Sequence, residues 1–545
     1  MKAPIKDCIV YSPYPSIDIP LCSVYALVKE KLLWNPYKVA LVDDVTSVTR
    51  TEVLSRMQRY AVGFRRNGVV PGDRICIHLK NSVENLLAMY GCILAGAAVV
   101  LAKTSLNDSD LRYQADDSDS THILTDLENA EKVKRSVAPL SMKGLFCMGR
   151  TAGFVSAAEF AELDESEYQE CPVDDPKSTV LAVCYTSGST GPPKGMEITH
   201  YNYVACCYTS IFITPYGKEE VYLGVDPITT QSGMIYAVIV MLDGGTNVIT
   251  SASLNSTEII DAIDKYKVTG AHLFPSRLQG VVREMRRTGR KLPCLKRLLV
   301  IGGALSASVV DAASEAFEGL ECLQNMYAMT ESCSIITAPP KTSGVYRGPD
   351  TGVPNTTAML KVVDLITGQK LGPHQIGEIC YRTAAMVSGY YKRPKGTSEL
   401  FDEEGWCKSG DAGYYDEDGR LYIVERLKQL IKCMDNQVVP GELEELLLRE
   451  HSADIAELSV VGLPHFEYVE AAAAAVVLTQ EGRQKNPELL AKDIKATVES
   501  HLAVYKHLHG GVFFVDSLPK TETAKVNRPA LVRFLTSDTG KLAQV

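Results

Sequence analysis

The chain has 545 residues, too many for one ordinary hydrophobic core, and that length suggests about three or four units of packing. With 46% hydrophobic and 22% charged residues and a mean hydropathy of −0.02, it has the composition of a soluble globular protein rather than a disordered or fibrous one. A net charge of −10 and a pI near 5.6 argue against a general nucleic-acid or anionic-membrane surface, because such partners need a basic face, so any anion must be bound locally.

From the N-terminus, Met1 to Leu21 is broken by Pro4, Pro13, Pro15 and Pro20, and so lacks the continuous apolar segment of a secretory signal. The run "GCILAGAAVVLA", Gly91 to Ala102, is too short to cross a bilayer and reads as a buried helix-to-strand passage. Runs such as "GDRICIHL", "TVLAVCYT" and "CLKRLLVIGG" alternate with helix-like stretches such as "STEIIDAIDKYK". This alternation predicts an α/β domain with a mainly parallel, buried sheet, with ligands at strand ends. Near Gly413 the texture changes, and "GYYDEDGRLYIVE" places an Asp-Gly turn between two β-prone runs. The charged "RLKQLIK" follows, and a domain boundary is expected at Arg426 to Lys428.

Pro440 then opens a helix with acidic first turns, "PGELEELLLRE". Two strand-like runs follow, "IAELSVVGL" and "AAAAAVVLT". Asn486 and Pro487 start a second helix whose Leu490, Ile494 and Val498 share one face. After a last strand, "GVFFV", the chain ends in "LPKTETAKVNRP" and a short tail. The expected organisation is residues 1–425, a hinge at 426–428, and a small α+β domain over 429–545. The fifteen cysteines show no repeated C-x-x-C pairing and read as reduced, mostly buried thiols, and no metal cage is expected of them. The last residues, "KLAQV", differ from the peroxisomal S-K-L address, which leaves a cytoplasmic location as the expectation.

The most informative stretch is "YTSGSTGPPKG", Tyr185 to Gly195. Gly188, Gly191 and Gly195 let backbone N–H groups turn inward without Cβ clashes. Thr186, Ser187, Ser189 and Thr190 add hydroxyl donors, and Lys194 adds a charge. Together they make a nest for phosphate oxygens. The string differs from the common P-loop, G-x-x-x-x-G-K-[ST], because Gly195 stands where a metal-binding hydroxyl would follow the lysine.

This string resembles the phosphate loop of the acyl-adenylate-forming superfamily, which includes acyl-CoA synthetases, 4-coumarate-CoA ligases and firefly luciferase. Further matches follow in order: "GGA" at Gly302 to Ala304, "YAMTE" at Tyr327 to Glu331, "SGYYKRP" at Ser388 to Pro394, "KSGD" at Lys408 to Asp411, "ERLKQLIK" at Glu425 to Lys432, and "PKTETAK" at Pro519 to Lys525. The resemblance implies a large N-terminal domain of stacked α/β sheets with a small β-barrel, and a mobile C-terminal domain. It also implies a reaction: a carboxylate attacks the α-phosphorus of ATP, giving acyl-AMP and pyrophosphate, and a nucleophile, usually the thiol of CoA, then takes the acyl group. The substrate carboxylate is itself the nucleophile of the first step, so no serine or cysteine triad is needed.

Residue by residue, the resemblance gives the loop from Thr186 to Lys194, with Ser187, Gly188, Ser189, Thr190 and Gly191, to the β- and γ-phosphates. It gives Thr330 to the α-phosphate and Glu331 to a Mg²⁺ ion. Tyr327 would stack on adenine, with Gly303 and Ala304 on its other side. Asp411 would accept hydrogen bonds from the ribose hydroxyls, reinforced by Arg426. Lys525 would bind the α-phosphate and the incoming carboxylate in the transition state. Lys428 matches the hinge residue about which the small domain swaps faces between the two half-reactions. The acyl pocket would be lined from Thr230, Gln231, His272, Gly302 and Ala328.

The sequence also departs from the family pattern. Ala328 replaces the glycine of "YG-x-TE", adding a methyl beside the acyl pocket. In "DPITTQSGM", Thr230 and Gln231 occupy the place of a histidine or aromatic gate. The "K-x-x-G" whose glycine lets the pantetheine arm of CoA pass reads "KCMD", with Asp435 adding bulk and negative charge, and Glu425 stands where aspartate is common. ATP and Mg²⁺ are therefore better supported than CoA. The leading expectation is an AMP-forming acid-CoA ligase acting on a small-molecule carboxylic acid, either a medium to long aliphatic acid, as in fatty acid metabolism, or an aromatic one. The alternatives are an adenylate-forming enzyme with a non-CoA acceptor or luciferase-like oxidation, and a non-catalytic relative that binds nucleotide or lipid. Retention of Lys194, Glu331, Asp411 and Lys525 argues against the last. The order of residues names neither the acid nor the oligomeric state.

Overall fold

β-Branched and aliphatic runs dominate the first three hundred residues, and in the computed structural model they become strands that are buried on both faces, as parallel sheets require. The structure describes all residues except 187–191, 211–212, 214–216, 304, 306, 435, 521–525, 538–543 and 545. These form two compact units. One comprises Met1–Lys361, Cys380–Lys408 and Asp416–Leu421, and the other Val362–Ile379, Ser409–Tyr415 and Tyr422–Val545.

The larger unit holds two sheets flanked by helices. In the seven-stranded sheet the order is Lys194–Thr199, Val180–Thr186, Ala98–Leu101, Arg74–His78, His122–Thr125, Gly144–Cys147 and Val155–Ser156. Its strands run parallel except for Lys194–Thr199, which returns antiparallel along Val180–Thr186. The nine-stranded sheet has a parallel centre: Val39–Val42, Thr246–Ile249, Val221–Gly224, Gly270–Leu273, Arg297–Ile301 and Cys322–Ala328. Parallel strands share a carboxyl edge, and from four of them the chain passes directly into Val225–Asp226, Phe274, Gly302 and Met329. Ligands of open α/β sheets bind at such an edge.

Helix starts follow the local chemistry. Asn255 and Glu258 close a capping box at Ser256–Tyr266, and Thr199 Oγ1 accepts the Asn202 N–H at the start of His200–Ser210. Gly91–Ala102 is the expected passage from helix Val83–Leu94 into strand Ala98–Leu101, and most of it is fully buried. All fifteen cysteines are free thiols, most of them buried. Among the described residues no helix is long and apolar enough to cross a membrane.

The smaller unit carries a five-stranded sheet built from Asn436–Val438, Ile431–Cys433, Val469–Leu478 and Ile455–His465, with Gly511–Phe514 parallel to Val469–Leu478. Ala471 to Ala475 are buried on this central strand, and their small side chains let the helices pack close on both faces. Helix Pro487–His501 buries Leu490, Ile494 and Val498 as its periodicity predicts, and Asn486 caps it by accepting the Leu489 N–H. Helix Pro440–Glu450 starts at its proline, which has no N–H to leave unpaired. One fold expectation needs correction. No sheet among the described residues closes into a barrel: each strand order has two free ends, so the expected small β-barrel is an open sheet here.

Candidate active site

The base of the hydroxyl-rich loop is fixed by the sheet. Thr186 pairs with Lys194 and Tyr185 with Gly195, so strand pairing brings together the two ends of the segment between them. Two phenols brace this base: Tyr113 donates to the Pro193 carbonyl at 2.9 Å, and Tyr185 donates to Asp117 Oδ2 at 2.9 Å. Ser187, Gly188, Ser189, Thr190 and Gly191 themselves lie outside the described residues.

Lys194 does not stand alone at this base. Its Nζ lies 5.1 Å from the ring centroid of Tyr390, a cation–π arrangement, and the Tyr390 hydroxyl donates to Glu331 Oε1 at 2.9 Å. Burial and the neighbouring Glu331 carboxylate push the Tyr390 phenol far above its usual range, so it stays protonated as a donor. The ring is pinned by its backbone: the Tyr390 N–H donates to Thr397 Oγ1 at 2.9 Å, and the Tyr391 N–H to the Gly195 carbonyl at 2.8 Å. At Gly389, φ is +148° and a Cβ would lie 2.3 Å from Thr397 Cγ2, so only glycine lets the chain pass there. Tyr390 is a functional candidate that sequence reasoning did not single out. Its only sequence signal was membership of the "SGYYKRP" string.

Glu331 and Thr330 sit in a tight turn after strand Cys322–Ala328. The Cys333 N–H donates to the Thr330 carbonyl at 3.1 Å, and buried Ser332 donates through Oγ to the Met329 carbonyl at 2.7 Å. This turn holds both side chains at the carboxyl edge of the nine-stranded sheet. Tyr327 is buried at the end of its strand, with its hydroxyl 3.6 Å from Met329 Sδ. On the next strand over, Gly302 takes a φ of +85°, and Gly303 packs so closely that a Cβ would come 3.2 Å from Pro275 Cγ. Ala304 lies outside the described residues. Ala328 is half-buried at the end of the Tyr327 strand.

Thr230 and Gln231 open helix Gln231–Leu242. Thr230 Oγ1 accepts the Gly233 N–H at 3.1 Å and donates to the Pro227 carbonyl at 2.7 Å, so Thr230 acts as a helix cap. A Cβ on Gly233 would fall 1.9 Å from that carbonyl oxygen, which explains the glycine. Buried Gln231 neighbours Cys184, two residues before Thr186, and Cys333, two residues after Glu331, and its Nε2 has no hydrogen-bond partner among the described residues. The start of this helix therefore lies between the loop base and the Glu331 turn. His272 is buried on its strand, with Nδ1 3.4 Å from Asp226 Oδ2. Burial opposes ionisation of Asp226, but His272, Ser232 and Arg277 outweigh it and hold the carboxyl below its usual range.

The remaining candidates lie in the smaller unit. Asp411 is buried, and its Oδ1 meets Arg426 Nε at 2.8 Å. Its backbone is held by Ser409, whose Oγ accepts the Asp411 N–H at 3.0 Å. Lys428 is exposed in a short 3₁₀ turn, Leu427–Gln429. Lys525 and Asp435 lie outside the described residues, but the flanks of the Lys525 segment are described. Lys520 bridges Val526, and the Asn527 N–H donates to the Pro519 carbonyl at 2.7 Å. Next along, Arg528 is largely buried and donates to Gln429 Oε1 at 2.6 Å, Glu444 Oε1 at 2.9 Å and Glu425 Oε2 at 3.3 Å. Burial opposes the guanidinium charge, and Glu444 and Glu425 more than offset it, raising its pKa. Sequence reasoning also did not single out Arg528.

Residues 29–391 match the family described as AMP-binding enzyme, two-thirds of the chain, and residues 442–525 match the AMP-binding enzyme C-terminal domain. The chain belongs to the AMP-binding enzymes. As a member of that family it is similar along almost its whole length to a probable 4-coumarate–CoA ligase 1 of Dictyostelium discoideum, at 28% identity over 96% of this chain and 97% of that protein. It is 30% identical to the luciferin 4-monooxygenase of Photinus pyralis over 88% of each. Among solved structures, ATP-bound MatB from Rhodopseudomonas palustris superposes with a TM-score of 0.85, covering 95% of this AMP-binding enzyme and 100% of that chain at 22% identity, a likeness of fold.

Proposed function

We propose that the protein activates a carboxylic acid with ATP and Mg²⁺, releasing pyrophosphate and forming acyl-AMP, and then passes the acyl group to CoA as an AMP-forming acid-CoA ligase. The observation that carries this reading is the Lys194–Tyr390–Glu331 chain at the base of the hydroxyl-rich loop. Lys194 and Glu331 both contact Tyr390, which supports reading them as partners of phosphate oxygens and of the metal.

Glu331 uses one oxygen for Tyr390 and keeps the other for a ligand. Mg²⁺ typically binds one or two carboxylates and completes its shell with substrate phosphates and water, a demand that a single carboxylate such as Glu331 can meet. When bound, the ion would neutralise charge on the phosphates. The chain's own groups then do the rest. Thr330 hydrogen-bonds the α-phosphate, Tyr327 covers the adenine, and Asp411, oriented by Arg426, accepts from the ribose hydroxyls. Lys525 supplies the positive charge that meets the attacking carboxylate as negative charge gathers. Lys428 is the hinge of this scheme, between a domain over 1–425 and one over 429–545.

A second reading has an acceptor other than CoA. It is favoured by Asp435, which replaces the glycine of the family's K-x-x-G in the sequence. The names of the relatives, a CoA ligase and a luciferin monooxygenase, support the two readings respectively. One assay separates them: purified protein with ATP, Mg²⁺ and a panel of aliphatic and aromatic acids, with pyrophosphate release followed with and without CoA. CoA-dependent release together with a thioester detected by mass supports the ligase. Release indifferent to CoA supports the other acceptor, and no release from any acid refutes both.

A further inference from the structure

Tyr113 and Asp117 lie four positions apart on helix Asp108–Asp117 and so share a face. Both touch the base of the hydroxyl-rich loop. Tyr113 donates to the Pro193 carbonyl, and Tyr185, the residue before Thr186, donates to Asp117 Oδ2, each at 2.9 Å. The Gln114 carbonyl, 3.3 Å from the Tyr185 hydroxyl, is the weaker of its two acceptors. Burial and the Asp117 carboxylate push the Tyr185 phenol above its usual range, so it stays a donor. The second oxygen of Asp117 is taken by Arg393, three residues after Tyr390, whose Nη2 donates to Oδ1 and also lies 3.4 Å from the Tyr113 hydroxyl. The Asp117 side chain is only 11% exposed, so little water competes for either contact.

One carboxylate thus joins the two strings that supply Lys194 and Tyr390. Lys194 pairs with Thr186 in the sheet, beside Tyr185, and Tyr390 opens the segment that ends at Arg393. The backbone already ties these strings together, through the Tyr391 N–H to the Gly195 carbonyl at 2.8 Å and a bridge between Met196 and Tyr390. What the backbone leaves open is the placement of charge. A Cβ on Gly396 would lie 3.4 Å from Lys194 Nζ and 3.6 Å from Arg393 Cβ, so the Lys194 ammonium and the root of the Arg393 side chain flank that glycine. Asp117 draws the guanidinium to the helix and pairs it there, and the contact raises the Arg393 pKa. The ammonium of Lys194 is then left over the Tyr390 ring without a second cation beside it. Asp119 grips the same segment through different side chains, accepting from Tyr391 at 2.6 Å and from Lys392.

We propose that Asp117 is a positioning residue for the nucleotide: by holding Tyr185 on one string and Arg393 on the other, it aligns Lys194 with Tyr390 and so sets the affinity for the outer phosphates of ATP. The inference rests on the proposed acid-activating reading and adds to it a residue outside the strings that carry the family resemblance. Asp117 acts through other side chains, so its effect belongs to nucleotide binding. Turnover at saturating ATP, affinity for the acid, and affinity for AMP, which lacks both outer phosphates, depend on it little. A carboxylate that only fastens the fold would not discriminate in this way.

The test measures pyrophosphate release from Asp117→Ala over a matrix of MgATP and acid concentrations, with calorimetry of ATP and of AMP on the same protein. Loss of hydrogen bonds to a charged group commonly costs about tenfold or more in an equilibrium. We expect KM for MgATP and Kd for ATP to rise about tenfold, with kcat, KM for the acid and Kd for AMP within about threefold of wild type. Asp117→Glu, which keeps a carboxylate, should recover most of the loss. Tyr185→Phe removes one oxygen and should raise the same two constants by a smaller factor, which keeps the test open if Asp117→Ala does not fold. Asp119→Ala loosens Tyr391 and Lys392 but leaves Tyr185 and Arg393 paired, and should stay within about twofold of wild type. Unchanged ATP constants in Asp117→Ala overturn the inference, and so do equal losses for ATP and AMP or an equal effect of Asp119→Ala. If the wild-type protein releases no pyrophosphate from any acid, the acid-activating reading falls, and the comparison of ATP with AMP still decides the role of Asp117. Wild-type protein that binds ATP no better than AMP overturns that role as well.

Discussion

Replacing Tyr390 by phenylalanine removes one oxygen and leaves the ring under Lys194. The lost interaction is a 2.9 Å hydrogen bond to a carboxylate, and bonds to charged groups contribute about 1.5–3 kcal/mol. Both residues are half-buried, so water can replace part of the loss, which places the expected cost near the lower figure. If Glu331 acts on the metal and phosphates, about 1.5 kcal/mol corresponds to roughly a tenfold fall in kcat/KM for MgATP. The fall should be accompanied by a higher Mg²⁺ requirement, because the carboxylate is no longer held in one orientation. Tyr390→Leu should lose more, since the cation–π contact with Lys194 goes as well, at about 0.5–1 kcal/mol. Pyrophosphate release over a matrix of ATP and Mg²⁺ concentrations reads both effects. A Tyr390→Phe enzyme with kcat/KM within twofold of wild type and an unchanged Mg²⁺ profile would refute the link from Lys194 through Tyr390 to Glu331.

Three other outcomes are expected. Lys525→Ala should slow adenylation by on the order of 10²–10³ and leave thioester formation from supplied acyl-AMP much less affected; equal losses in both half-reactions would contradict the role proposed for it. His78 and His200 are both buried, and burial lowers each to about 4, below an ordinary value near 6.5. His200 must also stay neutral so that Nδ1 can accept the Val24 N–H at 3.1 Å. Between pH 6.5 and 4 the unfolded chain then holds the extra proton, so stability falls as pH falls, by up to about 1.4 kcal/mol per pH unit for each histidine. Denaturant midpoints measured across that range should show a shallower slope in His200→Asn than in wild type. Arg528→Met leaves Glu425 and Glu444 facing each other without a cation, and the loss of one partner from a largely buried cluster should destabilise by about 3 kcal/mol, read as a lower denaturant midpoint.

Much of the architecture was legible because its signals are local. Apolar runs bounded by glycine and proline gave the strands around Arg74–His78 and Arg297–Ile301, and Asn486–Pro487 and Pro440 marked helix starts where they occur. Candidate residues carried on short strings, such as Lys194, Glu331 and Asp411, were legible for the same reason. What stayed hidden depends on pairs distant in sequence. Tyr390 reaches Glu331 across 59 positions, and Arg528 reaches Glu425 across 103, so neither partner marks the other along the chain. The Asp226–His272 pair is of the same kind, its members 46 positions apart in sequence. The barrel expectation came from resemblance alone, and strand pairing did not close it.

The grip of Arg528 spans Lys428. One side of the guanidinium holds Glu425, three residues before that lysine, and the same nitrogen also holds Gln429, the residue after it. Turning the backbone at Lys428 would carry these two acceptors apart, and a rigid planar fork cannot follow both. A pivot there would therefore work against a latch, and the latch is fastened three residues from the lysine on which the chemistry is proposed to depend.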